Sequence, residues 1–287
     1  MTETLSIQNA IQMVPPFTPV AQQLIETTLN PTHRLADVVA IVEADRLLAN
    51  TVLNVVNSGR FGFSAPVISV RRAIVTLGDK STTALAVGYS ALDVFSSPME
   101  GYEAAAGSLW EHSLRTAIVA RELSALATTS VPTELAYTAG LLHDIGKMVL
   151  SALLVGKATK MVAEIGIGER DCFLAAEREE AGTDHCQAGV ELAVHWALSP
   201  PIQAVCGYHH YPNQASESDR PLVFVVHLAD IVAMMAGCTT GADEFMYPMN
   251  SGYREYVSVD VKRLHEIMMA TTPEFDRLKN MLVAPCH

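Results

Sequence analysis

Residues 140 to 150 read GLLHDIGKMVL, with a histidine and an aspartate side by side inside an apolar run. A run of this composition is built for burial, and burying a carboxylate without a partner costs several kcal/mol or more. Any fold that accepts the segment must therefore bring a hydrogen-bond donor, a basic side chain or a metal ion to Asp144. The rest of the chain decides among the three.

At 287 residues the chain holds one large or two ordinary domains, and two lobes are the default expectation. It is 49% hydrophobic and only 17% charged, rich in Ala, Leu and Met and poor in aromatics, which predicts a globular, nearly all-α protein. A formal charge of -12 with only 19 Lys and Arg argues against a nucleic-acid surface. Cys172, Cys186, Cys206, Cys238 and Cys286 form no CxxC pair and suit reduced thiols in a cytoplasmic setting. The N-terminus lacks the basic start and apolar stretch of a signal peptide. The one span long and apolar enough to suggest a membrane, residues 221–242, carries His227 and Asp230 near its middle and reads better as a buried helix.

A first lobe over residues 1–97 opens with VPPFTP (14–19), whose prolines fix an extended entry, and continues in about five short helices. One of them should stop at Asn57, Ser58 and Gly59; another should be capped by Ser69 and closed by Gly78. The stretch 95–108, with Pro98, Gly101 and Gly107, marks the boundary to a second lobe over 98–287. Nine of the ten histidines lie beyond residue 110, so the chemistry belongs to that lobe.

There, Leu109, His112, Thr116, Val119 and Leu123 step by three and four, placing His112 on one mainly apolar helix face. His143 and Asp144 lie about 100° apart on their helix, and Lys147 sits one turn beyond His143. Asp184 is positioned to cap a helix that carries His185 in its first turn, with Gly189 one turn below leaving room for a neighbour. Ser199, Pro200 and Pro201 start a helix that delivers His209 and His210 at its end, and Asp230 is the only charge on the inner stripe Leu222, Val226, Asp230, Ala233. Each has a plain alternative: His209 and His210 exposed at a helix end, Asp230 paired with His227. Together, neutral imidazoles and carboxylates are the ligand set for Zn, Fe, Mn or Ni, and no cysteine falls in the pattern, which excludes a thiolate site. His33, His195, His227, His265 and His287 are assigned to structure or surface.

The order His112, His143-Asp144, His185, His209-His210, Asp230 resembles the HD superfamily of metal-dependent phosphohydrolases, in the version closest to HD-GYP phosphodiesterases. With VPPFTP, NSGRFG (57–62), ISVRRAIVTLG (68–78), GLLHDIGK, GTDHCQAG and GYHHYP, most of the chain is similar to HDOD domain proteins, signalling relatives of that group. The resemblance implies an HD-like C-terminal helical bundle that binds two divalent ions. Asp144 would bridge them, with His112, His143 and Asp230 on one and His185, His209 and His210 on the other. It implies that Lys147 steadies a phosphate oxygen, and that the ligand is a signalling partner protein or a small nucleotide. Regulation through a metal-bound module is the leading expectation, and a phosphodiesterase or phosphohydrolase of nucleotides the alternative.

Overall fold

The computed structural model describes residues 6–15, 18–30, 32–57, 63 and 65–283. Every regular element among them is helical, beside two isolated bridges, Met99 with Ala104 and Ala127 with Val257, so the all-α expectation holds. In chain order the α-helices are α1 (Ile7–Met13), α2 (Pro19–Leu29), α3 (Leu35–Ala44), α4 (Arg46–Asn57), α5 (Val70–Leu77), α6 (Asp79–Phe95), α7 (Ser108–Ser124) and α8 (Thr133–Leu142). They continue as α9 (Gly146–Leu154), α10 (Ala158–Gly166), α11 (Phe173–Ala181), α12 (His185–His195), α13 (Pro200–Tyr208), α14 (Arg220–Met235), α15 (Tyr253–Tyr256) and α16 (Val261–Val283).

The chain divides into two compact units, one of Phe17–Asp93 with Asp276–His287 and one of Met1–Pro16 with Val94–Phe275. The chain thus contributes its first helix to the unit that holds the histidines. In the smaller unit, Leu24, Val38, Val42, Val52 and Ile74 are buried. Its helices start and stop where the side chains dictate: Thr18 accepts from the Ala21 amide, Ser69 from the Arg72 amide, and Gly78 takes φ 83° to end α5. α4 ends at Asn57, whose amide side chain clamps Val67 through N–H and C=O at 2.7 and 2.9 Å. Ser58 and Gly59 of the expected stop, most of the NSGRFG segment, Pro16, Phe17, Cys286 and His287 lie outside the described residues.

In the larger unit α7 and α14 are central. The sequence implied one apolar face for α7; the helix is instead buried on nearly every side, including Ser113, Arg115 and Thr116. The Arg115 guanidinium is accommodated because it donates to Met268 O at 2.6 Å and Thr272 Oγ1 at 2.8 Å on α16. Val119, Leu123, Val205, Val223, Val226, Tyr253 and Ile267 belong to the apolar core on one side of these helices. The apolar run beginning at Pro221 becomes α14, buried along most of its length. Among the described residues no single helix is long and apolar enough to cross a membrane.

Candidate metal centre

The helical path breaks at His143. Ile145 N–H donates to Leu142 O, Lys147 N–H to Asp144 O and Met148 N–H to Ile145 O, all three-residue bonds that tighten the turn between α8 and α9. His143 therefore ends α8, and Asp144 sits in the turn, where the sequence placed both within one helix. The tight turn aims both side chains inward. It needs close approach to α12: a Cβ on Gly146 would stand 1.8 Å from His185 O and 2.5 Å from Gly189 N. Gly189, expected to make the room, is less crowded; a Cβ there would meet Cys206 Cβ and Gly146 N at 3.4 Å, an ordinary contact.

All seven proposed ligands lie in the larger unit and are 4% exposed or less. They form two groups around Asp144. Its Oδ2 lies 3.6 Å from His112 Nε2 and 3.4 Å from His143 Nε2, while Asp230 Oδ1 is 3.1 and 3.9 Å from the same two nitrogens. Its Oδ1 lies 3.6 Å from His185 Nε2 and 3.4 Å from His209 Nε2, and His210 Nε2 is 3.1 Å from His185 Nε2. The plain alternatives do not hold. His209 and His210 are buried, and His227 is satisfied elsewhere, donating from Nδ1 to His209 O and accepting the Asn250 amide at Nε2.

The partners behind the rings fix the protons. His112 Nδ1 faces Cys238 O at 2.9 Å, His143 Nδ1 faces Gly140 O at 2.8 Å, and His209 Nδ1 faces Val205 O and Cys206 O at 3.1 Å. Carbonyls only accept, so each Nδ1 carries its proton; the Nε2 of His143 and His209 is then left to present a lone pair, while His112 Nε2 donates to Asp230 Oδ1 at 3.1 Å until a cation displaces that proton. His112 Nε2 and His143 Nε2 face each other at 3.3 Å. Asp144 Oδ1 and His209 Nε2 are buried without a hydrogen-bond partner among the described residues. Burial pulls His209 down to about 4 and His210 well below the ordinary imidazole value, which keeps both rings neutral donors. Burial pushes the Asp230 carboxyl up, but the hydrogen bond from His112 outweighs it and brings the group to about 2. For Asp144, His143 and Lys147 overcome burial and hold the carboxyl well below the usual range. The donor set thus fits divalent cations on both sides of Asp144.

Lys147, to which the resemblance gives a phosphate oxygen, is held here by protein groups. Its ammonium meets Asp144 Oδ2 at 2.7 Å, Asp243 Oδ2 at 2.7 Å and Thr240 Oγ1 at 2.8 Å, so three oxygens match its three N–H bonds. It is 2% exposed and braces Asp144. Three groups behind the site escaped the sequence reading. Asp243 holds Lys147 and accepts from Thr240 and Tyr247. Glu177 accepts from His185 Nδ1 at 2.8 Å, from the His185 amide at 2.9 Å and from Tyr102 OH at 2.6 Å. Tyr247 stacks on the His210 ring with centroids 3.8 Å apart. The exclusion of cysteine also needs correction, since the Cys186 sulfur and one ring nitrogen from each of His185, His209 and His210 lie within 4.8 Å of one another.

The HDOD domain profile matches residues 14–212. An uncharacterized protein of Treponema pallidum (strain Nichols) is 26% identical over 229 residues, which is 79% of this chain but only 43% of that protein. A Marinobacter aquaeolei VT8 structure, provisionally described as a signal transduction protein, superposes with TM-score 0.72 at 21% identity, over 96% of this chain and 60% of that one. A Shewanella amazonensis SB2B structure, provisionally described as a phosphohydrolase, superposes with TM-score 0.69 at 19% identity, over 98% of this chain and 99% of that one. At these identities the two structures speak for the fold.

Proposed function

Since this chain belongs to the HDOD domain family, we propose that it is a cytoplasmic regulatory module whose larger, HD-type unit binds two divalent ions at a buried centre while the smaller unit addresses a signalling partner. His112, His143 and Asp230 would hold one ion and His185, His209 and His210 the other, with Asp144 between the two groups. The reading is carried by the burial of the site: every proposed ligand and Lys147 are 4% exposed or less, so none of these side chains stands open to bulk solvent. Bound divalent ions would supply charge that compensates the packed donors and Lewis acidity toward any oxygen that reached them. The chain's own residues do the rest. Lys147 and Asp243 orient Asp144, Glu177 orients His185, and carbonyls behind His112, His143 and His209 hold each Nδ1 proton so that Nε2 is the atom turned inward.

A phosphohydrolase acting on a nucleotide is the second reading, favoured by one feature, a carboxylate whose two oxygens face separate imidazole groups. The two readings part on turnover. Protein of known metal content, assayed against a panel of nucleotides and cyclic nucleotides with added manganese or iron, should release no product; metal-dependent hydrolysis would move the enzyme reading to first place.

A further inference from the structure

The two sides of Asp144 are chemically unequal. On the side of Oδ2 stand two imidazoles and the Asp230 carboxylate. On the side of Oδ1 stand three imidazoles, and there the Cys186 sulfur comes within 4.8 Å of a ring nitrogen of each. We infer that Cys186 supplies a thiolate ligand to the second position, making it a site for a thiophilic cation of the zinc class while the first position takes a harder ion.

Position in the fold supports this. Cys186 is the second residue of α12, directly after His185, and the start of that helix is held twice: Asp184 accepts the Gln187 amide at 2.8 Å, and Glu177 accepts both the amide and Nδ1 of His185. The helix therefore presents His185 and Cys186 from a fixed base. A buried cysteine is more often a small apolar filler. Against that, the Cys186 side chain borders a group that includes His209, whose buried Nε2 has no hydrogen-bond partner among the described residues. Imidazole with thiolate is a common ligand set for zinc, and carboxylate-rich sites suit manganese and other hard ions. On coordination the S–H bond gives up its proton to solvent, and sulfur keeps the electron pair it donates to the metal.

The inference rests on the metal-binding reading above, so the test separates the two. The purified chain of 287 residues is stripped, reconstituted with cobalt(II) alone, and measured for cobalt content and absorption. Cobalt held by thiolate gives an intense sulfur-to-metal charge-transfer band in the near ultraviolet; cobalt held by nitrogen and oxygen gives only weak visible bands. The band should be present in the unaltered chain and in Cys172→Ser, and absent in Cys186→Ser with the visible bands retained. Zinc affinity of the second position should fall at least about tenfold in Cys186→Ser. Cobalt bound without the band, or a band that survives Cys186→Ser, overturns the thiolate and leaves the metal centre standing; no bound cobalt overturns both. Should Cys186→Ser not fold, X-ray absorption on the unaltered zinc-loaded chain decides, because one sulfur at about 2.3 Å beside nitrogen and oxygen at about 2.0–2.1 Å is required.

Discussion

Replacing Gly146 by alanine tests whether the HD turn is positioned by its approach to α12. The added Cβ would stand 1.8 Å from His185 O and 2.5 Å from Gly189 N, both backbone atoms. An ordinary carbon–oxygen contact is about 3.3–3.6 Å, so the two helices must part by well over 1 Å. The carbonyl cannot swing aside cheaply, because Glu177 and the Asp184 cap hold that turn. Overpacking of this kind costs about 1–3 kcal/mol. The gain from removing a helical glycine, about 0.5–1 kcal/mol, offsets part of it. A net loss of about 1–2 kcal/mol lowers the melting temperature by about 2–8 °C for a unit of this size. Since a metal tolerates ligand displacements of only about 0.2 Å, Gly146→Ala should also empty the position that uses His185. Gly189→Ala, with its nearest contacts at 3.4 Å, is the internal control and should change stability by under about 1 kcal/mol. Thermal melts and elemental analysis of the two variants decide. A Gly146→Ala protein that melts with the parent and keeps its full metal content would refute the close-approach argument.

Asp144→Ala should remove both ions and His210→Ala mainly one, because the carboxylate reaches both groups and the imidazole only one; equal loss by elemental analysis would refute the bridge. EDTA should lower the melting temperature of metal-containing protein by about 10 °C, from a binding contribution of about 4 kcal/mol at a thousandfold excess over Kd; superimposable melts would mean that Lys147 and the histidines hold Asp144 unaided. Lys147→Met leaves Asp243 and Asp144 without their buried counter-charge and should destabilise the metal-free protein by about 3–5 kcal/mol in denaturant melts, and the loaded protein by less, since the ions still compensate Asp144. An equal loss in the two states would count against any cation at Asp144.

The helical character and the grouping of histidines were legible because they rest on local signals: apolar spacing, the Asp184 and Ser199 helix starts, and the HD pair in its apolar run. The supporting residues were not. Thr240, Asp243 and Tyr247 lie in a turn-rich stretch after α14 with no helical period, and they reach Lys147 across more than ninety residues of chain, so no spacing rule connects them. Glu177 reads as an ordinary charge in FLAAEREEA, and only the packing of α11 shows that it is buried behind His185. The order of glycine importance was likewise invisible, because Gly146 and Gly189 both fall at plausible helix crossings and only distances separate them. Cys186 was passed over because it lies in no cysteine motif; besides His185, its neighbours His209 and His210 come from the turn after α13.

Metal content bears most directly on the proposed centre. The 287-residue chain, purified without chelators and without an affinity metal column, should contain up to two divalent ions per chain by elemental analysis, falling to none in Asp144→Ala. Folded protein that carries no metal and takes up none when offered zinc, manganese and iron would contradict the metal centre outright.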